Sequence, residues 1–148
     1  MYDNWLANLA VVGATGLAVG LCVLLHYEGL LFTFQRLAGL GGRSRAKVLY
    51  GIGAVVVLHM GEIWVFGLTL WGLLLWPACG SLSPAPQHLF DVVYFSAVTF
   101  TTVGYGDLAP SGPLRFAAGM ESLTGLVLIT WSASFTYLEM ERFWRPRG

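Results

Sequence analysis

Apolar residues in this chain do not alternate or recur with one face. They form long uncharged runs separated by short polar breaks, and the runs have the length of a bilayer crossing. Trp5 to Leu25 contains no Asp, Glu, Lys or Arg, and about 20 such residues cover the ~30 Å of hydrocarbon as a helix. The helix is expected to continue through His26, Tyr27 and Glu28 toward Arg36, which makes residues 1–36 a first membrane helix. Gly16 and Gly20, with Gly13 before them, have a small-to-small spacing. That spacing either lets another helix approach closely or reflects how common glycine is in membrane helices. A glycine-rich, basic link over 37–47 breaks the helix. A second apolar run over 48–76 is stopped by Pro77. At ~1.5 Å per residue it exceeds the hydrocarbon thickness, so it is expected to tilt or overhang. Residues 79–87 read as a loop from their Pro, Gly and Ser content. The apolar run 88–100 would be only about 20 Å long as a helix, too short to span, and its β-branched residues would equally suit a strand. The last run, 112–140, is interrupted before its final turn only by Arg115 and Glu121. Residues 141–148 form a short tail.

Composition turns these runs into a class. Of 148 residues, 56% are apolar and 11% charged, against about 25% charged in soluble domains. The lipid bilayer is therefore the first partner, and a net charge of zero leaves no footprint for nucleic acid. Asp3 precedes the first run and no small-residue cleavage site follows it, so the N-terminus is expected to be retained. Cys22 and Cys79 lack metal-ligand spacing. Cys22 reads as inert packing in an apolar run. Cys79 falls in a loop, where an inter-subunit disulfide is one option.

The sign of the charges gives an orientation. Seven of the eight Lys and Arg residues lie in two places: Arg36, Arg43, Arg45 and Lys47 around the link, and Arg142, Arg145 and Arg147 at the end. Basic loops face the cytoplasm. Three spans then put the N-terminus outside, residues 77–111 outside, and the C-terminus inside, in a bacterial inner membrane. Tyr2, Trp5 and Trp76 would mark the outer interface, and Tyr50, Phe143 and Trp144 the inner one.

Between the short helix and the last run stands Thr101-Thr102-Val103-Gly104-Tyr105-Gly106-Asp107. This segment resembles the selectivity filter of potassium channels, in which backbone carbonyls replace the water shell of K⁺. The filter decides the ambiguous run 88–100 in favour of a re-entrant pore helix, because irregular backbone at membrane depth is tolerated where it lines a cavity. The whole then reads as an all-α membrane protein: three transmembrane helices plus a re-entrant pore helix and filter. The resemblance covers residues 48–140, the pore module of the two-transmembrane, pore-loop potassium channel superfamily, with the helix 1–36 added in front. It implies K⁺ sites at Thr102, Val103, Gly104 and Tyr105, with Gly106 completing the filter. It implies support from Thr101, Asp107, Val98 and Phe95, a hinge glycine at Gly125, no cofactor and no catalysis. Where relatives carry a Trp and a Glu as partners for the filter aspartate, this chain has Phe95 and Val98, so Asp107 lacks both usual partners.

The chemistry behind the motif can be stated directly. An extended chain alternates its carbonyls; Gly104 and Gly106 accept positive φ cheaply and allow them to line up. One chain gives one oxygen per level, so a full cage requires a homotetramer. The C-terminal dipole of each pore helix would favour a cation in the cavity.

Ionisable groups at membrane depth are functional candidates. Glu62 has His59 one turn before it on the same face, and Glu121 lies in the outer half of the last run. They read as a gating or proton-sensing network behind the filter, or as a structural hydrogen-bonded pair. A metal site is the least favoured reading, because no third or fourth ligand is at hand in the sequence. His26 and Glu28 are expected to be interfacial anchors. Glu139 and Glu141 would ring the inner mouth with carboxylates or simply be solvated. Ser132, Ser134 and Thr136 would wet a cavity or bond their own helix. No Arg-every-third-residue voltage sensor is visible. The expected function is passive, selective K⁺ conduction through four subunits; a non-conducting or regulatory pore subunit is the alternative.

Overall fold

The structure is a computed structural model that describes residues 4–39 and 44–144, without the side chains at 44 and 142–144. Tyr2, Arg43, Arg145 and Arg147 lie outside the described residues, as do the side chains of Arg142, Phe143 and Trp144. Four helices carry the fold: α1 (Trp5–Gly39), α2 (Ser44–Leu74), α3 (Leu89–Phe100) and α4 (Leu114–Trp144). Three of them, α1, α2 and α4, are long and apolar enough to cross a membrane. The fold is an all-α membrane fold.

Helix α1 packs along both α2 and α4. Its buried positions are Ala7, Val11, Thr15, Ala18, Cys22, His26, Leu30, Thr33 and Leu37. Steps of three and four residues put all nine on one stripe of the helix. The close approach of α1 to α2 lies at Gly29, where a Cβ would meet the Leu58 side chain at 2.7 Å. Gly16 and Gly20 face open space instead. Their spacing therefore does not mark the contact within the chain.

Two apolar clusters fill the interior. Near the turns, Leu70, Val92, Phe95, Leu114 and Ala117 pack with Ala7 and Val11. Deeper down, Phe66, Phe100 and Leu128 pack with Ala18 and Cys22. Each cluster draws on all four helices, so α1 is part of the core.

The 79–87 segment is more ordered than a plain loop. Pro77–Cys79 forms a 3-10 turn. Strand β1 (Ser81–Ser83) then pairs antiparallel with β2 (Ala109–Ser111), with Leu82 opposite Pro110, and the Ser81 and Ser111 hydroxyls meet at 2.8 Å. Strands of three residues are too short to show a period of two, which is why this clasp is invisible in the pattern. The clasp ties the entrance of α3 to the exit of the 101–107 loop. Cys79 beneath it is fully buried, and burial pushes its thiol pKa up. An inter-subunit disulfide at Cys79 is therefore corrected: the sulfur faces the apolar cluster.

Candidate ion pathway

Helix α3 starts with a reciprocal cap. The Asp91 carboxylate accepts from the backbone N–H of Gln87 at 2.7 Å and of His88 at 2.9 Å, which satisfies two donors that a helix start leaves orphaned. Those two bonds hold the Asp91 carboxyl below the usual range. Val92, Phe95, Ser96 and Val98 are buried, and Trp64 of α2 meets Phe90 edge-on at 5.9 Å between ring centroids. The helix ends at Phe100, where Thr101 N–H bonds Ala97 O at 3.1 Å and Thr102 N–H bonds Thr99 O at 3.0 Å.

From there the chain becomes unusual. Thr102, Gly104 and Gly106 have φ of 60°, 53° and 79°. Every second residue of the loop is thus in the left-handed region, which strains a threonine and suits glycine. The loop is pinned to α3 by Gly104 N–H to Val98 O at 3.0 Å. Val98 therefore supports the loop through its backbone while its side chain is buried. Phe95 is buried in the apolar cluster. The side chains of Val103 and Tyr105 are 54% and 72% exposed on the single chain.

Asp107 does have a partner. Tyr94 Oη donates to Asp107 Oδ2 at 2.8 Å, and this bond raises the Tyr94 pKa above the ordinary phenol value. Asp107 still lacks the usual partners at Phe95 and Val98, and the residue one place before Phe95 bonds it instead. On α3, position 94 faces the loop while position 95 faces the core.

Helix α4 crosses the end of α3 at Gly125. A Cβ there would fall onto the Phe100 carbonyl, so glycine is required for close approach. Ser122 Oγ donates to Thr99 O at 3.2 Å nearby.

Behind the loop lies a polar network that joins all four helices. Ser96 Oγ contacts Ile63 O of α2 at 2.8 Å and the Glu121 carboxyl of α4. A hydroxyl has one proton, and a carbonyl has none to give. For both contacts to be hydrogen bonds, Ser96 donates to Ile63 O and Glu121 donates to Ser96. Glu121 is fully buried and its other oxygen has no partner. Both features suit a neutral carboxylic acid, since a bare carboxylate would lose its hydration without compensation.

Next to Ile63 on α2, the Glu62 oxygens each take one histidine. His26 Nδ1 lies 2.7 Å from Oε1, and His59 Nδ1 lies 2.7 Å from Oε2. His26 is fully buried, so its place as an interfacial anchor is corrected; Glu28 remains exposed. His26 continues the buried stripe four residues after Cys22, a stripe that shows only once α1 meets α2 and α4. Ser132 Oγ approaches His26 Nε2 at 3.4 Å, so Ser132 faces α1. Ser134 bonds Thr130 O within its own helix at 3.0 Å. The contributions of His26, Tyr94 and Ser96 were missed in the sequence because each is defined by a neighbouring helix or loop.

The chain matches known proteins over the same region. A family model described as ion channel covers residues 47–140, well over half of the chain, and the chain belongs to this ion channel family. It is a multi-pass membrane protein of that family. It is similar to the inward rectifier potassium channel Kirbac3.1 of Paramagnetospirillum magnetotacticum, with 38% identity over 72 residues, 47% of this chain and 23% of that protein. It is also similar to a hyperpolarization-activated voltage-gated potassium channel of Methanocaldococcus jannaschii, with 43% identity over 37 residues, 25% of this chain and 18% of that protein. The chain thus spans a quarter or less of the length of these relatives. No solved structure matches it.

Proposed function

We propose that four copies of this chain form a potassium-selective channel that conducts K⁺ passively. The observation that carries the reading is the positive φ at Thr102, Gly104 and Gly106 within TTVGYGD. Turning every second residue to the left-handed region lets successive carbonyls face one side, as a dehydrated cation requires. The carbonyls of Thr102, Val103, Gly104 and Tyr105 are the proposed K⁺ ligands, with Gly106 completing the row and Thr101 and Asp107 bracing it. The kinship with two potassium channels supports K⁺ as the ion. The bare Val103 and Tyr105 side chains support assembly, since neighbouring subunits would cover them. The clustering of basic residues in the link and tail supports a cytoplasmic placement of both.

Reconstitution tests this directly. Purified protein in liposomes is expected to carry K⁺ and Rb⁺ flux, to be blocked by Ba²⁺ and to pass little Na⁺. Gly104→Ala or Tyr105→Ala is expected to abolish flux or selectivity while the assembly survives. A well-folded homotetramer that passes no K⁺ would sink the reading in favour of a subunit that conducts only alongside another chain.

A further inference from the structure

We propose that His26, His59 and Glu62 form a binding site for a borderline divalent transition metal, of the zinc, cobalt or nickel class, buried between α1 and α2. This inference concerns a site other than the proposed filter, and its test does not depend on conduction.

Three observations carry it. The first is convergence: one ligand atom from each residue lies within 4.8 Å of the other two. Glu62 and His59 are three residues apart on α2 and so share a face, while His26 arrives from α1. The set is two imidazoles and a carboxylate, which suits borderline metals rather than Ca²⁺ or Mg²⁺.

The second is charge. Glu62 and His26 are fully buried. No Lys or Arg occurs in residues 6–35, 48–114 or 116–141, so the spans offer Glu62 no ammonium or guanidinium. The two imidazoles are the side chains that meet its oxygens, and a cation held among the three would balance its charge. A metal would sit among the Nδ1 atoms and Glu62 in place of the two short contacts that now join them.

The third is support around the ligands. Ser132 Oγ lies 3.4 Å from His26 Nε2. An Nε2–H donated to Ser132 leaves the Nδ1 lone pair for a metal, the outer arrangement that fixes the tautomer of ligating histidines. The Trp131 ring stands 5.1 Å from His26, and the Phe100 ring 5.9 Å from His59, between ring centroids. Three protein ligands leave a fourth position on the metal for water or for the second Glu62 oxygen. Metal there would staple the added helix to the pore module.

The test uses the full chain purified in detergent and titrated with Co²⁺. The expected result is one Co²⁺ per chain with the visible absorption of nitrogen-ligated cobalt, displaced by Zn²⁺. His26→Asn keeps an amide N–H for Glu62 but removes the imidazole ligand, and is expected to weaken binding by roughly tenfold or more. Should that variant fail to fold, His59→Asn on the half-buried side of the site tests the same point. His88→Ala, which removes the remaining histidine, is expected to leave binding unchanged. Absence of stoichiometric binding in the wild type would overturn the proposal, as would binding that survives loss of either ligand; the network would then hold protons only.

Discussion

At the scale of single residues, the proposed filter loop is held at two points by different chemistry. Gly104 N–H is anchored on Val98 O, and Asp107 on the Tyr94 hydroxyl. Tyr94→Phe removes only the second anchor. It is expected to shorten channel openings several-fold without loss of ion selectivity, as single-channel recording in planar bilayers would show; unchanged openings would mean that the bond is idle. The raised Tyr94 pKa fixes the sign of the pH dependence. The contribution of this bond is complete below the ordinary phenol value and is lost as pH rises through the higher native value, so filter stability should fall only in strong alkali. Glu121 gives a sharper case, because its neutral form follows from the single proton of Ser96. Glu121→Gln retains a donor toward Ser96 and is expected to fold and assemble. Glu121→Ala leaves a buried hydroxyl short of a partner and should destabilise the fold by about 1–3 kcal/mol, readable as a lower midpoint of thermal unfolding. The sequence could point to Glu62, His59 and Glu121 as rare ionisable groups in apolar runs. It could not assign a hydrogen to Glu121, because that depends on Ser96 and Ile63, which lie in two other helices.

Among the elements, the three long helices were legible because apolar length is a property of each run alone. The boundaries of α3 were harder. His88 is the cap rather than the first helical residue, and its reciprocal bonding with Asp91 is a three-residue pattern that apolar periodicity does not register. The depressed Asp91 pKa means that this cap contributes fully above the ordinary aspartate range and is lost as pH falls through the lower native value. Asp91→Asn is expected to lower the thermal midpoint at neutral pH and to flatten its fall in acid; parallel melting curves for variant and wild type would refute the cap. Gly125 is the other place where elements constrain one another. The family resemblance marks it as a hinge, while the structure gives a steric reason for glycine: α4 passes directly over the Phe100 carbonyl. Gly125→Ala should push α4 from the pore helix and destabilise by about 1–3 kcal/mol. The companion change Gly53→Ala, which meets open space, is expected to be tolerated, so equal losses in both variants would remove the steric reading.

For the whole molecule, the added helix α1 is the element for which the resemblance to a span–pore–span module offers no template. Its stripe of buried positions from Ala7 to Leu37 makes it part of the subunit core, and its His26 closes the polar network on Glu62. This integration was hidden in the sequence because α1 is apolar on every side, and only contact with α2 and α4 distinguishes the stripe from the lipid-facing remainder. The hydrogen on Glu121 also bears on events before any of these contacts exist. During synthesis α4 must leave the translocon for lipid, and a charged carboxylate in the outer half of such a segment adds to the cost of that transfer, by less than the ~2.5–3.5 kcal/mol it would cost at the centre. A carboxylic acid avoids most of this penalty. The chain would therefore enter the bilayer more readily as the acid, and the Ser96 contact that fixes the hydrogen forms only once α3 and α4 have packed.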